Sequence, residues 1–353
     1  MVPTPRKTGM RPKGKPDEGR GPRTFLDIIV AMSAPPLLLA FLLAAAPAGA
    51  YQRDEHYLTT RLVLGAREGG DIAALCSQLA DEAPELNAIE VYQRLMEHPL
   101  DYAAWTLTGN GPDGTVGRFV TVQQMLHGLT GGSPEAVRAV AAETARGLWK
   151  TARAEKDPAR RTDVQCALGF ALHLYGDSFA HQRIKNPALM YRTGIGHLFD
   201  GAKPDMPLCT PERMKLWRGY LASAPGLIPE GAIFSFESMF FSASASQLKA
   251  RRANDYAREE LMRAEAEALR GGGVIASPLA RNLANHPCQK IADAAAKGLP
   301  RAPTCEGAWT IYREAAARAF AAYDADPAHA DKPVRSTRRA WFEGSPFSKG
   351  AAW

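Results

Sequence analysis

The segment ALHLYGDSFAH, residues 171–181, places two histidines and one aspartate four residues apart: His173, Asp177 and His181. Four residues advance an α-helix by about 400°, so the three side chains drift by only about 80° and share one helix face. Imidazole nitrogens and carboxylate oxygens are common ligands of zinc. The segment therefore predicts a helix that binds a divalent metal ion, most naturally zinc.

The alternative is a buried hydrogen-bond network without a metal. The segment is otherwise apolar, with Phe170, Leu172 and Phe179 around the polar positions. Burial of polar groups without partners costs about 1–3 kcal/mol each. The three groups therefore need either a shared cation or one another, and the metal is the preferred interpretation.

Helical periodicity extends over most of the chain. The 353 residues are 46% hydrophobic, and runs of alternating Val, Ile and Thr are lacking. Ser133-Pro134 is a typical helix start, with Ser133 as N-cap. We predict an all-α, multi-helical single domain. The predicted helices are 54–67, 71–81, 120–129, 134–154, 162–182 and 211–222, with another within 224–275 and a loop at 99–118.

The N-terminal 50 residues look like a targeting segment. Residues 1–23 are strongly basic, and residues 24–50 are apolar and end in Ala-Gly-Ala. This pattern predicts a signal peptide cleaved after Ala50, and thus a periplasmic or secreted protein; the alternative is an N-terminal membrane anchor. The basic segment also holds most of the net charge of +6, so the rest of the chain gives no strong nucleic-acid signal.

The five cysteines contain no CxxC pair, which argues against a thiolate zinc site. Export permits disulfides, and Cys288 with Cys305 is the most plausible pair. Cys76 and Cys166 lie within apolar helical patterns and are expected to pack in the core rather than to take part in chemistry.

Further candidate ligands flank the central motif. His56, Asp81 and His127 precede it, and His197 follows it with acids nearby. This order resembles the zinc-dependent phospholipase C and single-strand-specific zinc nuclease superfamily, in particular a poorly characterised bacterial branch. The resemblance covers roughly residues 51–210.

The resemblance implies a phospholipase C-type all-α domain with one to three zinc ions. It also implies that the amine of the mature N-terminus, here Tyr51, is a ligand. The superfamily places an acid four residues after the last histidine, where this chain has Gly201, so that Asp200 or Asp205 would have to serve. Asp81 is the candidate catalytic residue, either as a ligand or as the group that orients the attacking water. The implied ligands are Tyr51, His56, Asp81, His127, His173, Asp177, His181, His197 and Asp200.

The expected domains are a signal peptide or anchor over 1–50, a metal-binding core over 51–210, and a helical extension over 211–353 packed on that core. The expected function is that of an exported, phospholipase C-like hydrolase of phosphoric esters. Such an enzyme could contact a membrane surface. The aromatic residues of segment 233–242 are a candidate rim, with a strand or helix of the core as the preferred interpretation of this segment. The alternatives are a non-catalytic, zinc-stabilised or partner-binding domain and a single-strand nuclease.

Overall fold

The computed structural model describes residues 53–64, 69–83, 85–88, 91, 97, 100, 115–194, 196–197, 200, 204, 210–228, 303–335 and 346–347. These residues all belong to one compact unit, residues 46–353. The predicted signal peptide, Tyr51, Asp205 and the aromatic segment 233–242 lie outside the described residues.

Within those residues the fold is all-α, as predicted. The helices are α1 (Arg53–Leu64), α2 (Gly70–Glu82), α3 (Thr115–Met125), α4 (Pro134–Ala154), α5 (Pro158–Ala180), α6 (Pro211–Ser223) and α7 (Cys305–Ala325). Two short 3₁₀ helices follow α6 and α7, at Ala224–Leu227 and Pro327–His329. The part of the chain that the structure describes has no β-strands, only isolated bridges such as Thr130 with Arg192.

Side-chain caps define the starts of α4 and α5. Ser133 Oγ accepts a hydrogen bond from Ala136 N at the start of α4, which confirms the predicted cap. Asp157 does the same for Ala159 N at the start of α5, and a proline occupies the first turn of each helix. The Asp157-Pro158 pair explains why α5 begins four residues before the predicted start at 162.

Two sequence predictions are wrong in the helical regions. The loop predicted for 99–118 is helical at Leu100 and again from Thr115, where α3 has begun. The 21-residue helix α7 was not predicted at its position, although a helical extension was expected. It begins after Thr304, whose hydroxyl accepts from Gly307 N.

Helix α5 lies at the centre of the described helices. It contacts α1, α2, α4, α6 and α7 and is buried over nearly its whole length, as is typical of a helix that is apolar on all sides. Gly169 allows α2 to approach closely, since a Cβ at this position would lie 2.2 Å from Ala73 O. On another side of α5, Trp309 and Tyr312 of α7 pack against Phe170 with ring centroids 6.5 and 5.8 Å apart.

A disulfide joins α2 to α5. Cys76 and Cys166 are bonded, with their Cα atoms 5.2 Å apart. Both residues are buried, as predicted, but the bond between them was not predicted. Periodicity places both residues on buried faces and does not show that the two faces meet. Cys305 is also in a disulfide. Cys209 and Cys288 lie outside the described residues, so the predicted Cys288–Cys305 pair stays a prediction.

None of the helices in the described regions combines the length and apolar character needed to cross a membrane.

Candidate metal centre

Four separate parts of the chain bring their polar side chains to one buried point. His56 comes from α1, Asp81 from the last turn of α2, and His127 from the turn after α3. Helix α5 supplies His173 and Asp177, and its C-cap residue is His181. These six residues are at most 2% exposed. We call them the metal-centre cluster.

Main-chain carbonyls fix the proton positions on three of the imidazoles. His127 Nε2 donates to Leu86 O at 2.7 Å, His173 Nδ1 to Ser77 O at 2.9 Å, and His181 Nδ1 to His127 O at 2.5 Å. A carbonyl oxygen only accepts, so these nitrogens carry the protons. In the neutral rings the lone pairs are therefore on His127 Nδ1, His173 Nε2 and His181 Nε2. This arrangement is usual for histidines that bind metals.

Two of these nitrogens and one carboxylate oxygen, all electron-pair donors, lie close to one another. Asp177 Oδ2 lies 3.0 Å from both His127 Nδ1 and His173 Nε2, and these two nitrogens are 3.2 Å apart. Lone pairs at such distances repel unless a proton or a metal ion lies between them. Ligands in a tetrahedral zinc site with bonds of 2.0–2.1 Å are about 3.3 Å apart. The donor set therefore fits a metal ion.

Three histidines of the cluster form two sides, which we call poles: His56 is one pole, and His127 with His173 is the other. Two carboxylates lie between the poles. Asp177 Oδ1 lies 3.3 Å from His56 Nε2, while its other oxygen faces His127 and His173. Asp81 repeats the pattern at longer range, with Oδ2 3.8 Å from His56 Nε2 and Oδ1 3.9 Å from both His127 Nδ1 and His173 Nε2. Each aspartate thus presents one oxygen to each pole.

Two groups in the cluster could each hold a metal ion. One consists of His56, Asp81 and His173, and the other of His127, His173 and Asp177. They share His173, whose single lone pair serves one ion at a time. Two ions would therefore need the bridging carboxylates.

Burial and charge set the protonation of the cluster without metal. Burial lowers the pKa of His56 and of His127, but the hydrogen bond and charge of Asp177, together with the charge of Asp81, outweigh it and raise both pKa values. Burial dominates at His173 and His181 and lowers their pKa to about 3 and about 4. Burial opposes ionisation of Asp177, yet the surrounding imidazoles hold its pKa well below its usual range. His56 and His127 therefore keep a second proton to higher pH than an ordinary histidine does, and a metal ion would compete with that proton.

Three predicted ligands within the described residues are in neither metal-binding group. His181 belongs to the cluster, with Nδ1 3.7 Å from Asp177 Oδ2, whereas His197 and Asp200 lie beside the cluster. The His197 ring stacks on His181 with centroids 5.4 Å apart and is partly exposed. Asp200 Oδ2 accepts from Tyr191 OH at 2.6 Å. The structure thus places His197 and Asp200 at the edge of the centre.

Sequence reasoning missed the groups that orient the ligands. The carbonyls of Ser77 and Leu86 have no side-chain signature. A glycine between two candidate ligands, Gly176 between His173 and Asp177, is a sequence feature that indicates close approach of another group. In the structure a Cβ at this position would lie 2.9 Å from His56 Cε1. The Ser77 hydroxyl donates to Ala74 O at 2.7 Å and also lies 3.1 Å from His56 O.

Comparisons with known protein families, with curated proteins and with solved structures found no match. The superfamily resemblance therefore stays a prediction that rests on the residues quoted above.

Proposed function

We propose that this chain is an exported, zinc-dependent hydrolase of phosphoric esters, similar to phospholipase C. The observation that carries the proposal is the pair of carboxylates that each face both His56 and the His127–His173 pair. Two ions in such a site would activate water near neutral pH and neutralise charge on the phosphoryl oxygens.

The two aspartates differ in how closely they approach the histidines. Asp177 approaches them to 3.0–3.3 Å, whereas Asp81 stays at 3.8–3.9 Å. A carboxylate less tightly held by the imidazoles is better suited to accept a proton from an attacking water. We therefore assign Asp177 to ligand bridging and Asp81 to catalysis.

The Cys76–Cys166 disulfide supports the exported location. Disulfides persist in oxidising compartments such as the periplasm and the extracellular space and are rare in the cytosol. Zinc is the proposed ion because imidazole nitrogens combined with carboxylate oxygens are a common zinc donor set. The lack of a thiolate in the cluster argues against copper(I) and iron–sulfur sites.

The test is chelator-sensitive hydrolysis by the exported protein. We expect release of nitrophenol from bis-p-nitrophenyl phosphate or p-nitrophenyl phosphorylcholine, loss of activity with a chelator, and recovery with zinc. Asp81→Asn, which keeps the shape but removes the base, should lower kcat by about 10²–10⁴-fold. Asp331→Asn, at an exposed position, is the matched control. Absence of hydrolysis in a zinc-loaded, folded sample would contradict the proposal, and cleavage of single-stranded DNA alone would favour the nuclease alternative.

The near-complete burial of the cluster favours a second candidate, a non-catalytic zinc-stabilised domain. Structural zinc sites are closed, whereas catalytic sites keep one position open. In that case zinc should raise Tm, and no phosphoester in the panel should be hydrolysed.

A further inference from the structure

Arg213 of α6 binds the end of helix α5 from which His181 projects. The last carbonyls of an α-helix have no partners within the helix. His181 is the C-cap residue, and its N–H donates to Asp177 O at 2.7 Å. The position of its imidazole therefore depends on how this helix end is held.

The Arg213 guanidinium contacts the main chain on both sides of His181. Its Nη1 donates to Ala180 O at 2.7 Å and to Phe179 O at 3.4 Å, and its Nη2 donates to Gln182 O. The carbonyl of His181 itself accepts from Tyr191 N at 2.9 Å. All four carbonyls of residues 179–182 are thus satisfied.

The charge and shape of the Arg213 side chain suit it to bind the carbonyl groups at the end of α5. Arg213 is 3% exposed, and it forms no ion pair with a carboxylate of the described residues. A cation at a helix C-terminus is stabilised by the helix dipole. A planar guanidinium donates from separate nitrogens held in a rigid fork, whereas lysine donates from a single nitrogen on a flexible stem.

From these contacts we infer that Arg213 is a positioning residue of the metal centre and acts through His181. The guanidinium fixes residues 179–182. This main chain, together with the hydrogen bond from His181 Nδ1 to His127 O, holds the His181 imidazole beside Asp177, with Nδ1 3.7 Å from Asp177 Oδ2. The inference rests on the metal centre of the proposed function, and it assigns a role to a residue outside the predicted core 51–210.

The test is zinc affinity, measured by competition with a chromophoric chelator on samples whose helical content is checked by circular dichroism. Arg213→Lys should weaken zinc binding by about 10-fold, the lower end of the effect of losing an outer partner of a metal ligand. The matched control is Arg161→Lys at the opposite end of α5, where the guanidinium donates to Glu155 O at 3.1 Å. The control should bind zinc like the wild type.

A double-mutant comparison separates positioning from general stabilisation. In a His181→Ala background, Arg213→Lys should cause no further loss of zinc affinity. Equal affinity of Arg213→Lys and the wild type, or the same 10-fold loss with and without His181, would overturn the inference. If Arg213→Lys does not fold, Arg213→Gln replaces it under the same criteria.

The outcome is independent of catalysis. A wild type that binds zinc but hydrolyses no phosphoester contradicts the proposed function and leaves the role of Arg213 standing. A wild type that binds no zinc overturns both.

Discussion

At the scale of single residues, Gly176 lets His56 reach the cluster because it has no Cβ. Gly176 lies on α5 between His173 and Asp177, and the point where its Cβ would be is 2.9 Å from His56 Cε1 and 3.2 Å from Tyr220 OH. Both neighbours are buried. A methyl group here must push His56 away from Asp177 Oδ1.

Gly176→Ala should therefore bind about one zinc ion fewer than the wild type if two are present, or bind a single ion more weakly. Zinc content after dialysis, by mass spectrometry, measures this. Gly147→Ala is the matched control, because it is also a helical glycine but has no atom within 4 Å of the added Cβ. That variant should keep its zinc and gain about 0.5–1 kcal/mol of stability. Wild-type zinc content in Gly176→Ala would contradict the two-pole description.

His173 is the residue common to both possible metal groups. His173→Ala should lose most of the bound zinc, and the double variant with His181→Ala should lose nearly all of it. His329→Ala serves as control, since this partly exposed imidazole stacks on Tyr323 in the 3₁₀ helix after α7. Full metal retention in the double variant would contradict the claim that the histidines spaced four residues from Asp177 bind the metal ion.

At the scale of helices, the spacing in one segment was enough to predict the orientation of α5. His173, Asp177 and His181 do turn toward one buried point, because their period matches that of the helix. The start of α3 and the position of α7 were not predicted. Gly114 and Gly117 suggested a loop, yet α3 includes Gly117, and α7 is buried mainly at spaced positions such as Trp309, Tyr312 and Phe320.

The same limit applies to pairs of helices. Which side of α2 meets which side of α5 is decided by close packing at Gly169 and Ala73, and this is not visible in either segment alone. The Cys76–Cys166 disulfide, the Ser77 carbonyl and the Arg213 contacts all depend on such packing. Side-chain ligands could therefore be predicted, whereas the groups that aim them could not.

Replacement of Cys76 and Cys166 by alanine should lower the free energy of unfolding by about 2–5 kcal/mol, since the bond closes a long loop with a sequence separation of 90. Zinc affinity should fall as well, because Ser77 and Asp81 are on the helix that the bond anchors. Urea unfolding and zinc titration check the two effects. Unchanged stability would mean that packing at Gly169 suffices to hold α2.

At the scale of the whole molecule, the cluster predicts how stability depends on pH. The pKa values of His173 and His181, lowered to about 3 and about 4, mean that the unfolded chain binds more protons below the ordinary value of 6.5. Stability is then lost as pH falls from 6.5 toward 4, by at most about 1.4 kcal/mol per pH unit for each group. His56 and His127 have raised pKa values, so their contribution is present below 6.5 and is lost as pH rises through those values.

Chelator-treated protein should thus be most stable near pH 6.5. In zinc-loaded protein all the imidazole ligands are neutral, so stability should continue to rise above that pH. Urea unfolding at pH 5 to 9, with and without zinc, distinguishes the two curves. Identical curves would argue that no metal reaches the cluster.

The central claim is that the buried His and Asp cluster is a metal centre bridged by Asp177. The most direct measurement is anomalous X-ray diffraction at the zinc absorption edge from crystals of the protein grown with zinc. We predict one anomalous peak bounded by Asp177 Oδ2, His127 and His173, and a second on the His56 side of Asp177. An ordered, folded cluster with no anomalous peak at Asp177 would contradict the account.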